Sequence, residues 1–425
     1  MKKTIIAYTV ILMILALLMY FFSMSWMNFL FRPNLKKELE ILISEQPMQH
    51  PVVTDNQLSD FSDAVESVTG EIGLFTSHFD YYEKLAPAFT LFQDTFTYLD
   101  FWEGTLHSAS VFPCIFFYRG GKVYVRESIG NIVPSGAVIT AINSQPIDEI
   151  MNYFQQFIYA PSIEERNFWA IERDLLNYYP EFFKAKEFKI EYVNNGTEYQ
   201  EIIDRVPWKE FSSWRQRIQS EVYRFKQDGD LAVLKLYDLS YAEQNVHKIK
   251  EIMLQIIDSK VPKLLIDLSD TKGIGDNYYT LQMLLSFFSE NEDYLIQKQI
   301  TRYTQQSDAF AVIQQNQIYQ GAVYFLISDY SIYPYLSTLI SFCQRTNTGL
   351  FIGTQPLSLG SFLSNPNHEP LYISYLIPKV CRTYNEIQPI NDDNLIVKPF
   401  LFTNEDYIEL MFFTKDYLSY ISDFK

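Results

Sequence analysis

LAVLKL at 231–236 and KLLIDL at 263–268, with Val246, Ile249, Met253 and Ile256 between them, decide the fold of this chain. The two apolar runs have the length of strands buried on both faces. The residues between them recur at steps of three and four, the spacing of one helix face. Strand, helix, strand in that order requires parallel strands joined by a crossover, which is right-handed in nearly all proteins. Further blocks follow in GAVYFLISDYSIYPYLSTLI (321–340) and GLFIGTQPLSLGSF (349–362).

Outward from this core, the bulk numbers set limits. A chain of 425 residues can hold two or three modest domains. A hydrophobic content of 48% with 16% aromatics rules out a disordered chain. A net charge of −17 argues against nucleic acid as partner, because phosphate binding needs clustered Lys and Arg. Cys114, Cys343 and Cys381 lie far apart and read as small buried hydrophobes rather than a disulfide framework. His50, His78, His107, His247 and His368 show no paired spacing with cysteine or carboxylate, so neither a metal site nor any cofactor is expected.

Lys2 and Lys3 precede an uncharged apolar run from Thr4 to Phe22. As a helix it spans about 28 Å, close to the hydrocarbon thickness of a bilayer. Ser23-Met24-Ser25 is a poor cleavage site, and Trp26 stands where an interfacial aromatic anchor would. One N-terminal transmembrane helix is therefore expected over 1–31, with the remainder on the extracytoplasmic side. Residues 32–110 read as a linker and a helical lead-in, in which Leu58, Phe61, Val65, Val68 and Ile72 keep helical spacing.

Residues 111–226 read as a β-rich module. VFPCIFFYRGGKVYV (111–125) is a hairpin turning at Arg119-Gly120-Gly121. Then come a turn around Pro134-Ser135-Gly136, the strand VITAIN, a turn at Ser144-Gln145 and a helix. Residues 160–185 read as helical to about Tyr179-Pro180. FKIEYVNNGTEYQEIID (188–204) is a second hairpin, with Asn195-Gly196 supplying the positive-φ turn residues. Trp208 to Arg224 reads as a charged connector, and the core occupies 227–425.

The order of blocks resembles the C-terminal processing, or tail-specific, serine protease family, whose core is a ClpP/crotonase-like α/β unit. On that resemblance the segment 129–158 is similar to the second half of a PDZ-like module, and PDZ modules bind extended peptides by adding a strand to a sheet edge. The expected architecture is α/β: a ClpP/crotonase-like βαβ core with a helical lead-in and a PDZ-like piece, behind one transmembrane helix. The segment Tyr98-Leu99-Asp100 is placed against the family's L-x-D-G-H-T motif, whose histidine column is empty; His107 falls a few residues late.

The family's third block reads roughly L-V-x-x-x-T-x-S-A-x-E, with the serine as nucleophile. Laid over Leu326 to Pro334, the serine column holds Tyr333. The fourth block, roughly G-x-x-T-x-G-K-G, puts Leu359 in the lysine column. The oxyanion loop, D-L-R-x-N-x-G-G, is written here Asp267-Leu268-Ser269-Asp270-Thr271-Lys272-Gly273-Ile274-Gly275, without the arginine, the asparagine and one glycine. Gly273 keeps the backbone amide that the resemblance would make an oxyanion donor.

A serine–lysine dyad needs a small hydroxyl at a sharp turn and a neutral amine within hydrogen-bond reach. Tyr333 is a bulky phenol and Leu359 accepts no proton. Losing one member of a catalytic unit can cost about a millionfold in rate. Ser331 with Lys272 is a remote substitute, because in an extended segment Ser331 lies about 7 Å from the nucleophile position.

Three functions follow. The first is an inactive homologue that binds extended or unfolded polypeptide in a cleft lined by Tyr330, Tyr333 and Tyr335. The second is an active peptidase with Ser331 as displaced nucleophile. The third is a scaffold that pairs with a homologous, active subunit.

Overall fold

The computed structural model describes residues 50–71, 78–101, 110–179, 185–218, 223–237, 243–271, 279–288, 293–300, 305–312, 315–328, 334–354, 362–366, 376–379, 381–387 and 398–399, with 37, 39, 40, 42–44, 182 and 417. The expected transmembrane run lies outside them. Among the described residues no helix is long and apolar enough to cross a membrane.

The lead-in contains α1 (Asp55–Glu71), α2 (His78–Phe89) and β1 (Tyr98–Phe101). Phe61, Val65 and Val68 form the buried stripe of α1, as their spacing predicts. After β2 (Ser110–Val111), the module is built from β3 (Cys114–Arg119), β4 (Lys122–Ser128), β5 (Val138–Ile142), β6 (Gln145–Pro146), α3 (Ile147–Phe154), α4 (Ile163–Glu172), β7 (Glu187–Asn194) and β8 (Thr197–Asp204). Its antiparallel sheet has the order β3-β4-β5-β7-β8, with β6 folded back on β5.

The turns follow the chemistry of their residues. Gly120 and Gly121 take φ 53° and 76° between β3 and β4, and Asn195 and Gly196 take 49° and 75° between β7 and β8. These paired positive values suit the right-handed twist of a hairpin. Helix α3 buries Ile147, Ile150, Met151 and Phe154 on one face. Lead-in and module share one hydrophobic core, in which Phe61, Leu85 and Phe89 join Val125, Ile142, Phe154 and Phe188.

The stretch read as a charged connector is mostly a helix. After β9 (Val206–Pro207), α5 runs Trp208–Ile218 and buries Phe211 against Val111 and Ile115. The charges of WKEFSSWRQRI mask an apolar stripe of Trp208, Phe211 and Trp214, which a small satellite core makes decisive.

The core sheet follows with β10 (Tyr223–Asp228) and β11 (Leu231–Leu236), then α6 (Glu243–Asp258), β12 (Lys263–Asp267) and α7 (Tyr279–Leu285). Next come β13 (Asp293–Ile300), β14 (Gln305–Val312), β15 (Ala322–Ile327), α8 (Pro334–Thr346) and β16 (Leu350–Gly353). The last strands are β17 (Phe362–Pro366), β18 (Leu376–Lys379), β19 (Cys381–Ile387) and β20 (Lys398–Pro399).

The main sheet has the order β10-β11-β12-β15-β16-β20. β11, β12, β15, β16 and β20 run parallel, as the strand–helix–strand reading requires, and β10 is an antiparallel edge. A second, antiparallel sheet has the order β14-β13-β19-β17, and β18 pairs with β1 of the lead-in.

Period-two alternation splits the main sheet into two faces. Ala232, Leu234 and Leu236 turn to the helix side, where Ile249, Met253, Ile256, Leu339 and Ile340 pack. Leu231, Val233, Leu265, Tyr324, Leu326 and Ile352 turn to the other side and meet Tyr417. Cys114 and Cys343 are buried free thiols.

Candidate functional site

In parallel α/β sheets, sites form at the carboxyl ends of the strands, where loops gather. Here β12, β15 and β16 are immediate neighbours with matched ends: Asp267 is level with Leu326, and Ile327 with Gly353. The segments that follow these strands, beginning at Leu268, Ser328 and Thr354, therefore leave the sheet from three adjacent strand ends. Lys272, Gly273, Tyr330, Ser331, Tyr333 and Leu359 themselves lie outside the described residues. Tyr335 falls in α8, at the second position, and its side chain is likewise undescribed.

The described part of that edge is a buried polar network. Lys235, near the end of β11, and Asp267, at the end of β12, are level across the strand pair and point to the same face as Val233 and Leu265. Lys235 Nζ donates to Asp267 Oδ2 at 3.1 Å, and both side chains are fully buried. Tyr417 Oη donates to the same oxygen at 2.7 Å. The other carboxylate oxygen, Oδ1, accepts from the Ser269 backbone N–H (2.9 Å) and Ser269 Oγ (2.6 Å). Four donors thus fill the carboxylate, and burying a charged pair is tolerable only when such hydrogen bonds accompany it.

The start of the next loop is held from both sides. Leu268 N donates to Leu326 O at 2.8 Å. Thr271 Oγ1 donates to Leu236 O at 2.6 Å, and Ser328 Oγ to Ser269 O at 2.8 Å. Asp270, between them, accepts from Arg126 of β4 at 3.0 Å, so module and core meet at this loop.

Around the network, Tyr237 has the Lys235 Nζ at 5.2 Å from its ring and the Arg224 guanidinium at 5.7 Å. Burial pushes the Tyr237 hydroxyl above the usual phenol range, and the Arg224 charge opposes this. Lys226 Nζ lies 4.7 Å from the Tyr417 ring.

The described polar groups of this edge are taken up in buried hydrogen bonds. Ser269 and Ser328 are almost fully buried, and their hydroxyl protons are committed to a carboxylate and a carbonyl. Lys235 Nζ also reaches Ser269 Oγ, at 3.4 Å, but stands beside a carboxylate with no surface exposed. Sequence reading matched Asp267 to the family loop and missed Lys235 and Tyr417. Lys235 was detectable as the single charge in an otherwise apolar, fully buried strand. Tyr417, 150 residues from Asp267, carried no local signal.

No protein-family model matches the chain, and no curated protein does. Solved structures do. Mature CPAF complexed with lactacystin matches with a TM-score of 0.61 at 11% identity, over 91% of this chain and 97% of that one. A second structure of mature CPAF gives 0.55 at 11% identity, over 93% and 95%. A looser likeness, at a TM-score of 0.43 and 12% identity, extends to a photosystem II D1 C-terminal processing protease, over 78% and 89%. Identities this low speak for architecture alone. The likeness shows that this chain shares the α/β fold of mature CPAF.

Proposed function

We propose that the chain is a membrane-anchored protein that binds extended polypeptide on a tail-specific protease fold and does not hydrolyse it. The observation that carries this reading is the convergence of β12, β15 and β16 at one edge while their following columns hold Tyr333 and Leu359 in place of serine and lysine. A phenol and an alkyl chain supply neither the small hydroxyl nor the amine that acyl transfer requires. On this reading Tyr330, Tyr333 and Tyr335, which follow β15 in the sequence, would supply aromatic contact for an extended chain. In this reading the β-rich part, 111–226, is a PDZ-like module. The run 4–22 anchors the chain with its folded part outside the membrane.

The test is mass spectrometry of an unstructured polypeptide incubated with the full-length chain, alongside a fluorescence binding assay on the same polypeptide. The expected result is intact polypeptide, bound by the unaltered chain and released by Tyr333→Asp. Fragments that disappear in Ser331→Ala would establish a displaced nucleophile and overturn the reading. Intact polypeptide that is not bound, with co-purification of a homologous protease subunit, would favour a scaffold.

A further inference from the structure

We propose that the open edge of β8, Thr197–Asp204, is a docking strand for an extended cationic peptide segment. This surface is separate from the core edge, and the proposal stands whether or not the core hydrolyses anything. β8 ends the strand order of the module sheet, and seven of its eight residues are exposed, whereas β3 at the opposite end is buried or half-buried with α4 against it. The strand also carries two of the chain's exposed large apolar side chains, Tyr199 at 46% and Ile202 at 59%.

Hairpin geometry says which backbone groups are offered. Across a two-residue turn with both φ values positive, the closing pair exchanges hydrogen bonds, and bonded and non-bonded pairs then alternate. Asn194 and Thr197 close this turn, and Tyr192 with Tyr199 is the next bonded pair, its rings stacked at 5.4 Å. The backbone N–H and C=O groups of Glu198, Gln200, Ile202 and Asp204 therefore point to the open edge. A strand laid there completes the ladder without disturbing β7.

Charge chooses the occupant. Glu198, Glu201 and Asp204 place a carboxylate at every third position, and β8 has no basic residue. On β7 the one lysine, Lys189, is paired with Glu191 at 2.7 Å. A second copy would bring the same three carboxylates to the edge in a chain already at −17, so self-pairing is disfavoured. The complementary antiparallel partner has lysine or arginine opposite Asp204, Glu201 and Glu198, with an apolar residue opposite Ile202 and Tyr199. Read along the partner, that is basic-x-apolar-basic-x-apolar-basic.

The probe is the labelled heptapeptide Lys-Thr-Val-Lys-Thr-Val-Lys, titrated by fluorescence anisotropy against the full-length chain at low ionic strength. The unaltered chain is expected to bind it, more weakly as salt rises, and not to bind the analogue with glutamate for lysine. Neutralising the edge (Glu198→Gln, Glu201→Gln and Asp204→Asn together) is expected to weaken binding about tenfold or more. Gln200→Pro removes one outward amide without touching the β7 ladder, and is expected to weaken binding comparably. Should Gln200→Pro fail to fold, the neutralised variant decides. The proposal is overturned if the unaltered chain does not bind, if the neutralised variant binds equally well, or if the chain forms a dimer that Gln200→Pro dissolves.

Discussion

Lys235 and Asp267 face each other across adjacent parallel strands, Nζ to Oδ2 at 3.1 Å, and neither exposes any surface to solvent. An ion pair in such a place is retained against a large desolvation cost. What makes it tolerable is the saturation of the carboxylate by Tyr417 and Ser269. The network joins the middle of the core sheet to a residue near the C-terminus and stops just short of the loop bearing Gly273.

Replacing only one partner should therefore be costly. Lys235→Met leaves Asp267 buried and without its cation, and is expected to destabilise the chain by about 3–5 kcal/mol in urea unfolding. Adding Asp267→Asn should recover part of that loss, since the uncompensated charge is then gone. An unchanged midpoint for Lys235→Met alone would refute the ion pair.

Tyr417 contributes both a donor and a ring. Tyr417→Phe keeps the packing against Leu231, Val233 and Leu265 and deletes the bond to Asp267. A loss of about 1.5–3 kcal/mol is expected, the range for a hydrogen bond to a charged group. Tyr417→Ala should lose clearly more, because it also opens a cavity.

Gly321 precedes β15 where no Cβ fits. An added methyl would lie 2.3 Å from Tyr319 Oη and 2.5 Å from the Pro262 carbonyl oxygen. The phenol, which itself donates to Val261 O at 2.9 Å, can give way, but the carbonyl belongs to the backbone that accepts from Ala322. Gly321→Ala should cost about 1–3 kcal/mol. The loss should persist in a Tyr319→Phe background, as thermal unfolding of both variants would establish.

Burial raises the Tyr82 hydroxyl above its ordinary value, with the Asp100 carboxylate adding to it and the Arg173 guanidinium opposing. A group whose proton is held more tightly when folded stabilises fully below its unfolded value, near pH ~10 for tyrosine, and loses that contribution as pH rises toward the folded value. Stability should fall by about 1.4 kcal/mol per pH unit from this residue in that window. Tyr82→Phe should flatten the fall in pH-dependent urea unfolding.

The same physics governs two cysteines. Burial pushes the thiols of Cys114 and Cys343 well above their ordinary values. Alkylation at mildly alkaline pH should leave both unmodified in the folded chain and label both after denaturation, as peptide mass mapping would record.

Much of this fold is legible in the sequence. The apolar runs at 231–236 and 263–268 became parallel strands because only a doubly covered sheet tolerates such runs. The hairpin at Asn195-Gly196 formed because those residue types occupy positive φ readily. The helix over 208–218 was hidden because three aromatic residues spaced at three are outvoted locally by charge, and only contact with Val111 and Ile115 reveals their role.

The sequence by itself determined the parallel strand–helix–strand unit over 231–268 and the positions of the tight turns. Each of these is a local property, written in side-chain spacing or in a motif. The tertiary structure alone decided that Lys235, Asp267, Ser269 and Tyr417 form one network, and that lead-in and module share a single core. It also decided that β8 ends the module sheet with seven of its eight residues exposed. Such relations join residues distant in the chain, and their energy comes from excluding water around groups that only the folded state brings together.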